Sequence, residues 1–418
     1  MYHARFKGTH YEIGFRWGNL LYSKGKHLMD TVPFSVEGER ERFSQKCIPF
    51  YKEYYPEILE EIRGIADGQK MKVEKLEAVL MSMYCIMPEQ KCSCLVFQGI
   101  RPDERGESAA DTAVFRKKKA SGCILARNSD FLTEIEKLYM NCIYKLQNGA
   151  YSFQGNTTAF VEMEDGINEY GFAVGLTSVY PKVLKPGINA GMLLRYGLEK
   201  CRTVPEFVEA LGRLPIASSQ TFTAADRLGN AALIECNCEA LEVRYISEDY
   251  PEVCAVNSFH LEQMKEYRVK DIDDWMAEER YSTIEDALSK NRERSREFAE
   301  EVLSGKHGFL CQYDRDTGKD TVWSVIYDLM EPAVYRCEGN PSRKDSKGMS
   351  ASSSGMPGQR IKCHTIFTGA GAGLSAFWRL TRSGKDTVAC SVGIWHGNDF
   401  LTNLKERLDS HTMVYSMV

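Results

Sequence analysis

The sequence predicts a layered α+β fold, in which two β-sheets lie between layers of helices. Two observations support this fold class. Apolar residues recur at helical spacing through the first 90 residues, and the period changes to that of strands at Cys92. Helical and strand segments then alternate as far as residue 344, so we expect a helical segment at residues 1–91 followed by a sheet-containing domain at residues 92–344.

Three helices are predicted before Cys92. One begins near Thr9, whose hydroxyl can cap it while Glu12 completes a capping box. An amphipathic pattern predicts a second helix over residues 51–66, which Gly68 would end. A similar pattern predicts a third helix over residues 73–84.

The first strands are predicted to form a hairpin. They cover residues 92–97 and 123–126, and a polar, charged insertion at residues 101–121 separates them. If the two strands pair, Arg127 and Asp130 return to the end at which Cys92 lies. A thiol, a guanidinium and a carboxylate would then share one strand end.

The later elements follow from turn signals and periodicity. Asp165-Gly166 is a turn signal, and Thr203 with Pro205 marks the start of a helix. The predicted strands are 172–176, 221–226, 231–235, 241–246, 253–257, 321–329 and 333–336, and the predicted helical stretches are 192–200, 204–214 and 273–304.

The chain changes character after residue 344. Residues 345–359 are rich in Ser, Gly and Met and are interpreted as a linker, and residues 360–418 are too few for an ordinary domain. Residues 368–375 resemble the first nucleotide-binding loop of sirtuin-like proteins. Glycines after a strand can hold phosphates at a helix N-terminus. An NAD-binding protein is therefore one alternative interpretation.

Composition excludes several classes of function. The formal net charge of -5 gives no basic face for nucleic acid, and no apolar run is long enough for a membrane span. The 14 cysteines lack zinc-ribbon or disulfide-scaffold spacing, so neither metal nor any other cofactor is expected. The polar N-terminus lacks a signal peptide, which favours the cytoplasm and free thiols. The sequence leaves a homo-oligomer open.

Several patches together resemble the N-terminal-nucleophile (Ntn) cysteine hydrolases of the isopenicillin-N acyltransferase and choloylglycine hydrolase superfamily. Cys92-Ser93 resembles the start of the catalytic strand, and the segment from Gly8 to Gly18 resembles the acyltransferase pro-segment. The other matching patches are Arg127-Asn128-Ser129-Asp130-Phe131, Asp165 to Phe172, Ala255-Val256-Asn257-Ser258-Phe259 and Glu279-Arg280-Tyr281. The resemblance covers roughly residues 5–344 and implies a four-layer αββα sandwich of Ntn-hydrolase type.

This resemblance implies cleavage or transfer of the acyl group of a linear amide, such as an N-acyl amino acid, a peptide-like conjugate or a β-lactam side chain. A chain-terminal cysteine supplies both a nucleophile and an amine base, which requires cleavage between Lys91 and Cys92. Asp130 would orient the amine, while Arg127 and Arg280 would favour the thiolate and orient the substrate. Asn257 would donate a hydrogen bond to the oxyanion.

Thr177 stands where bile-salt hydrolases carry a second oxyanion-hole Asn, and we expect it to contact substrate together with Phe131.

Other interpretations of the same residues stay open. Cys94 competes with Cys92 as nucleophile, although Ser93 follows Cys92 as the family pattern requires. Lys91 replaces the small residue that usually precedes the cleaved bond. A non-catalytic relative, which binds an acylated small molecule without cutting its own chain, is therefore the second hypothesis. Each residue taken alone also permits a purely structural role.

Overall fold

Two sheets packed face to face form the centre of the protein, and helices cover both outer faces. This architecture is observed in a computed structural model, and it confirms the predicted αββα order of layers. The structure describes residues 1–86, 91–99, 122–147, 149–291, 294–330, 333–344 and 350–351. The predicted polar insertion and C-terminal segment lie outside these residues, as does all of the predicted linker except residues 350–351.

The first sheet has eight strands over the described residues, in the order β1-β4-β5-β6-β7-β8-β9-β10. Its first pair, β1 with β4, is parallel, and the other pairs are antiparallel. The strands are β1 (Tyr2–Gly8), β4 (Met140–Leu146), β5 (Phe153–Thr157), β6 (Asp165–Asn168), β7 (Ala173–Ser178), β8 (Gln220–Ala225), β9 (Ala231–Cys236) and β10 (Leu241–Tyr245).

The second sheet is antiparallel and has six strands among the residues described, in the order β11-β2-β3-β12-β13-β14. It contains the predicted first hairpin and the predicted strands over residues 321–329 and 333–336. The strands are β2 (Lys91–Gln98), β3 (Cys123–Leu132), β11 (Glu252–Ala255), β12 (Lys319–Asp328), β13 (Ala333–Glu338) and β14 (Ser350–Ala351).

The helices divide into two layers. Helices α1 to α6 share one apolar core with the first sheet, whereas α7 and α8 pack on the outer face of the second sheet. No helix among the described residues is both long and apolar enough to cross a membrane. The helices are α1 (His10–Ser23), α2 (Glu39–Tyr54), α3 (Pro56–Gly68), α4 (Val73–Ser82), α5 (Ala190–Lys200), α6 (Val204–Arg213), α7 (Ala277–Lys290) and α8 (Arg296–Leu303).

The N-terminal segment, which is predicted to be mainly helical, contains four α-helices and also a strand among its described residues. Its first residues form the edge strand β1. The predicted helix over residues 51–66 is in fact the end of α2 and most of α3, because Pro56 cannot donate a backbone hydrogen bond and begins a new helix at its first position. The capping box of Thr9 and Glu12 at the start of α1 is confirmed.

The predicted turn at Asp165-Gly166 is wrong. Both residues lie inside β6, and the chain turns later, at Gly171, where φ is +80°. Gly166 is needed for close approach instead, since a Cβ there would lie 2.5 Å from a methyl group of Leu198 and 2.8 Å from the Gln154 carbonyl oxygen. An Asp-Gly pair therefore does not by itself distinguish a turn from a crowded strand.

Helices α1 and α3 cross at a seam of four glycines. Gly14 and Gly18 of α1 face Gly64 and Gly68 of α3, and a Cβ on any of the four would lie within 2.1–2.5 Å of a backbone oxygen of the other helix. The missing side chains let the two backbones touch. The spacing of four residues in each helix places each glycine pair on one face.

Gly18→Ala should lower the free energy of unfolding by about 1–3 kcal/mol, because the added methyl group overpacks the seam. Gly212→Ala is the matched control. It lies in α6 with no heavy atom within 4 Å of the added Cβ, so the better helix propensity of Ala should stabilise the protein by about 0.5–1 kcal/mol. Denaturant unfolding of both variants measures the difference, and equal effects would contradict close packing at the seam.

The segment before Cys92 is built into the rest of the fold. Strand β1 extends the first sheet through β4, and the buried face of α3 shares its core with α5. A buried ion pair also joins them, since Arg195 Nη2 of α5 donates to Glu61 Oε2 of α3 at 2.7 Å. Arg195 Nε donates to Glu199 Oε1 at 2.7 Å, and His10 of α1 lies 3.1 Å from the other oxygen of Glu199.

A chain cut between Lys91 and Cys92 should therefore stay in one particle. Separating the pieces would expose the shared core and leave the charges of Glu61 and Arg195 unpaired. Size-exclusion chromatography of cut protein in buffer should give one peak that contains both fragments, and guanidinium chloride should split it. Two peaks in buffer would show that the segment is a removable cover.

Candidate active site

The hairpin of β2 and β3 assembles the predicted constellation. Cys92 lies directly opposite Ser129, and Lys91 lies opposite Asp130. Side chains alternate along a strand, so Cys92, Ser129 and Arg127 point toward the first sheet. Asp130 and Ser93 point to the other face, toward α7.

Cys92 is held at both of its reactive ends. Arg127 Nη2 donates to its thiol sulfur at 2.8 Å, and its own backbone N–H donates to Asn257 Oδ1 at 2.8 Å. The side chain is only 1% exposed. The sulfur and the nitrogen of a single residue therefore each have a polar partner, on opposite sides of the strand.

Arg127 is buried between two carboxylates. Its Nη1 donates to Asp165 Oδ2 at 2.8 Å, and Nη2 lies 3.4 Å from Glu164 Oε2. Its Nε donates to the Leu176 carbonyl oxygen at 3.0 Å, which ties the guanidinium to β7. Asp165 accepts further hydrogen bonds from Asn156, Trp323 and Tyr327.

The two sheets approach closely beside the thiol because β7 has a glycine there. A Cβ on Gly175 would lie 2.8 Å from Cys94 Sγ and 3.1 Å from Arg127 Cδ. Cys94, the competing nucleophile, thus packs between the sheets. Burial raises its pKa to about 12, as it does the pKa of Cys92, so the pKa does not distinguish the two thiols.

Arg280 does not have the predicted substrate-binding geometry. Arginine has five N–H donors, and each of these has a protein acceptor. They donate to the carbonyl oxygens of Cys92, Asp274 and Trp275, to Ser93 Oγ and to Asn257 Oδ1. Arg280 therefore fixes the backbone of β2 and the carboxamide of Asn257, and no donor remains for a substrate carboxylate.

The orientation of Asn257 is also opposite to that expected of an oxyanion donor. Its Oδ1 faces the Cys92 nitrogen, while its Nδ2 donates to the Ser178 carbonyl oxygen at 2.8 Å. Thr177 supports the same loop, because its hydroxyl donates to the Val256 carbonyl oxygen at 2.9 Å. The predicted substrate contact of Thr177 stays a prediction beside this backbone contact.

A buried glutamate holds the other end of this loop. Both oxygens of Glu235 accept from the His260 N–H, at 2.7 and 2.9 Å, and one also accepts from the Leu261 N–H at 2.9 Å. Burial raises the pKa of Glu235 to about 7, although these backbone donors oppose the rise. The His260 ring stacks on Tyr281 of α7, as expected of a structural histidine.

Asp130 sits on the face away from the thiol. Thr321 donates to its Oδ1 at 2.5 Å and Tyr313 to its Oδ2 at 3.1 Å, and Arg280 lies 3.8 Å away. Burial raises the pKa of Asp130 to about 6 against these contacts. Phe131, the next residue, is on the thiol face of β3 and stays a predicted substrate contact.

The thiol itself is not activated in the uncut chain. Burial raises the pKa of Cys92 to about 12, although Arg127 and Arg280 each lower it. The two arginines oppose the effect of desolvation on the thiol pKa, but desolvation outweighs them. Any mechanism must provide a base or admit water.

Sequence reasoning missed Glu164 and Asp165 as site residues. They belong to a run, Glu162-Met163-Glu164-Asp165, whose three carboxylates are all buried. Buried carboxylates are rare unless they are paired. Acidic residues within an apolar stretch were the available signal. Thr321 and Trp323 carry no such signal, because their placement depends on the pairing of β12 with β3, and Tyr313 reaches Asp130 from the loop before β12.

Comparison with solved structures finds chains to which this chain has low similarity. The Caenorhabditis elegans ortholog of N-acylethanolamine-hydrolyzing acid amidase shares 16% identity over 58% of this chain and 94% of its own, with a TM-score of 0.40. Penicillin V acylase from Agrobacterium tumefaciens shares 14% identity over 59% of this chain and 83% of its own, with a TM-score of 0.38. A mutant conjugated bile acid hydrolase from Clostridium perfringens shares 15% identity over 66% of this chain and 97% of its own, with a TM-score of 0.39.

No curated protein matches the sequence. The family model of acyl-coenzyme A:6-aminopenicillanic acid acyl-transferases matches residues 115–343, which include Arg127, Asp130, Asn257 and Arg280. The match spans more than half of the 418 residues and confirms the superfamily predicted from the sequence. The chain belongs to the acyl-coenzyme A:6-aminopenicillanic acid acyl-transferase family.

Proposed function

We propose that the protein is a cysteine amide hydrolase or acyltransferase that cuts its own chain between Lys91 and Cys92. It cleaves off or transfers the acyl group of a linear amide, such as an N-acyl amino acid, a peptide-like conjugate or a β-lactam side chain. The family's name describes the transfer of an acyl group from a coenzyme A thioester to an amine, and this supports the proposed class of chemistry.

One observation carries the proposal. The sulfur and the backbone nitrogen of Cys92 are held separately, by Arg127 and by Asn257. A purely structural cysteine needs neither contact, because a buried thiol packs as a small apolar group and a strand nitrogen pairs within its sheet. Holding both atoms suits a residue whose nitrogen becomes a free amine beside its own thiol.

After the cut, this amine acts as the base. An α-amino group has a reference pKa of about 7.7–8.0, whereas a peptide nitrogen is not basic. The amine takes the thiol proton, the thiolate attacks the amide carbon, and the proton passes to the leaving nitrogen. Asn257 Oδ1 orients the amine, and Arg127 stabilises the thiolate.

The remaining site residues have positioning roles under this proposal. Arg280 holds the Cys92 carbonyl and the Asn257 carboxamide, and Thr177 holds the loop before Asn257. Asp130 lies next to Arg280 and opposite Lys91, where it can accept a proton near neutral pH. The described cysteines are all free, which supports a reducing compartment such as the cytoplasm.

The non-catalytic relative is the second candidate, and one observation favours it. Cys92 is buried and its pKa is raised to about 12 in the uncut chain, so an uncut protein would have an unreactive thiol. Such a protein would bind an acylated small molecule at the same strand end without turning it over.

Cys92→Ala should abolish both self-cleavage and amidase activity, because the nucleophile is lost and the small Ala fits the same space. Cys94→Ala is the matched control on the same face of β2, and it should keep most of both. Intact mass and N-terminal sequencing measure the cut, and a panel of N-acyl amino acids and penicillins measures turnover. A wild-type chain without a new terminus at Cys92 would favour the binding protein. An active Cys92→Ala with a dead Cys94→Ala would reassign the nucleophile.

Blocking the new terminus tests the amine. Residues 1–91 and a chain that begins with Met before Cys92 can be co-expressed, and this pair should be inactive until an aminopeptidase removes the Met. The rate of the trimmed enzyme should rise with pH as its amine loses a proton, with an apparent pKa below that of an unperturbed thiol. His260→Ala should keep most activity, since His260 is not the base. A fully active blocked chain together with a dead His260→Ala would point to a thiol–imidazole pair.

A further inference from the structure

Self-cleavage needs a proton acceptor other than the Cys92 nitrogen, which turnover does not need. This inference rests on the proposed function. Before the cut, the Cys92 nitrogen is an amide and cannot accept the thiol proton. Another group must accept it in the uncut chain. We propose that Ser129 and Glu164 form a proton relay that takes the Cys92 thiol proton during self-cleavage.

The relay lies on the correct face of the sheet. Ser129 is the direct cross-strand partner of Cys92, so its hydroxyl and the thiol project side by side from neighbouring strands. Ser129 Oγ donates to Glu164 Oε2 at 3.2 Å. The hydroxyl oxygen can therefore accept from the thiol while its own hydrogen points to the carboxylate.

Asp130 is the competing base, and alternation along β3 disfavours it. It follows Ser129 and so projects from the opposite face, where Tyr313 and Thr321 occupy its two oxygens. Both carboxylates raise the pKa of the thiol, Glu164 more than Asp130. Glu164 is therefore the acid with the stronger electrostatic influence on the sulfur.

Glu164 is also held as a proton acceptor should be. Thr158 donates to Oε1 through its N–H at 2.8 Å and its hydroxyl at 2.7 Å, which leaves Oε2 toward Ser129 and Arg127. Burial raises the pKa of Glu164, and Arg127 and Thr158 oppose this rise. A raised pKa makes the carboxylate a stronger base than an exposed glutamate.

The step balances as an acyl shift from nitrogen to sulfur. The thiol proton passes to the Ser129 oxygen while the Ser129 hydrogen passes to Glu164, and the sulfur bonds to the Lys91 carbonyl carbon. The bond from that carbon to the Cys92 nitrogen breaks, and the nitrogen receives the proton that Glu164 took up. Water then hydrolyses the thioester: its oxygen bonds to the Lys91 carbonyl carbon, one of its protons goes to the sulfur, and the other leaves as the Lys91 carboxyl group ionises.

Rates of self-cleavage after refolding, followed by intact mass over a range of pH, test the relay. Ser129→Ala and Glu164→Gln should each slow the cut by roughly 10²-fold or more, the usual contribution of a general base. Glu164→Asp should recover part of the rate. Asp165→Asn is the matched control, because Asp165 also binds Arg127 but does not contact Ser129, and its loss should be smaller.

The direction of the rate change distinguishes a proton relay from a purely electrostatic role of Glu164. Removing the charge of Glu164 lowers the thiol pKa, so a purely electrostatic role predicts faster cleavage by Glu164→Gln. Ser129→Ala changes no charge and provides the test if Glu164→Gln fails to fold. A wild-type chain that is never cut refutes the proposed function. If the wild type is cut normally and Ser129→Ala and Glu164→Gln are cut as fast as the wild type, the relay alone is refuted. The relay is also refuted if Glu164→Gln and Asp165→Asn slow the cut equally.

Discussion

The buried guanidinium of Arg127 is the interaction on which the site depends. It joins the thiol on β2, the two carboxylates that precede and begin β6, and a carbonyl oxygen of β7. One side chain thereby fixes the distance between the two sheets. A lysine could not do this, because a compact ammonium lacks the planar fork that reaches several acceptors at once. Gly175 completes the arrangement by leaving room for the guanidinium stem, so packing and electrostatics impose the same spacing.

The sequence predicts those features that arise from short-range patterns. The change of period at Cys92 and the capping of α1 by Thr9 each follow from a few neighbouring residues. The pairing of β2 with β3 follows from two strand patterns that are consecutive along the chain despite the insertion between them. The same patterns bring Cys92, Arg127 and Asp130 to one strand end. The edge strand β1 was not predictable in this way, because its pairing with β4 joins residues about 140 positions apart.

The roles of individual side chains were harder to predict than their location. Asn257 and Arg280 lie at the site as expected, yet which atom of each faces Cys92 depends on hydrogen bonds to Ser178, Asp274 and Trp275. Trp275 and the following Met276 adopt left-handed backbone conformations, with φ of 55° and 61°. Such conformations are uncommon for side chains of this size, and no local pattern in the sequence indicates them.

The buried charges around Cys92 have a further consequence. In the uncut chain, Arg127 and Arg280 face the carboxylates of Asp130, Glu164 and Asp165, so full ionisation would leave an excess of one negative charge away from water. Burial raises the pKa of Asp130 to about 6, and protonation of this group would remove the excess. Breaking the Lys91–Cys92 bond would add a terminal ammonium at Asn257 and a terminal carboxylate at Lys91, so the cut by itself leaves the net charge unchanged. The covalent cut would in this way give the buried carboxylates a new cationic neighbour, whose charge is lost again as the amine deprotonates with rising pH.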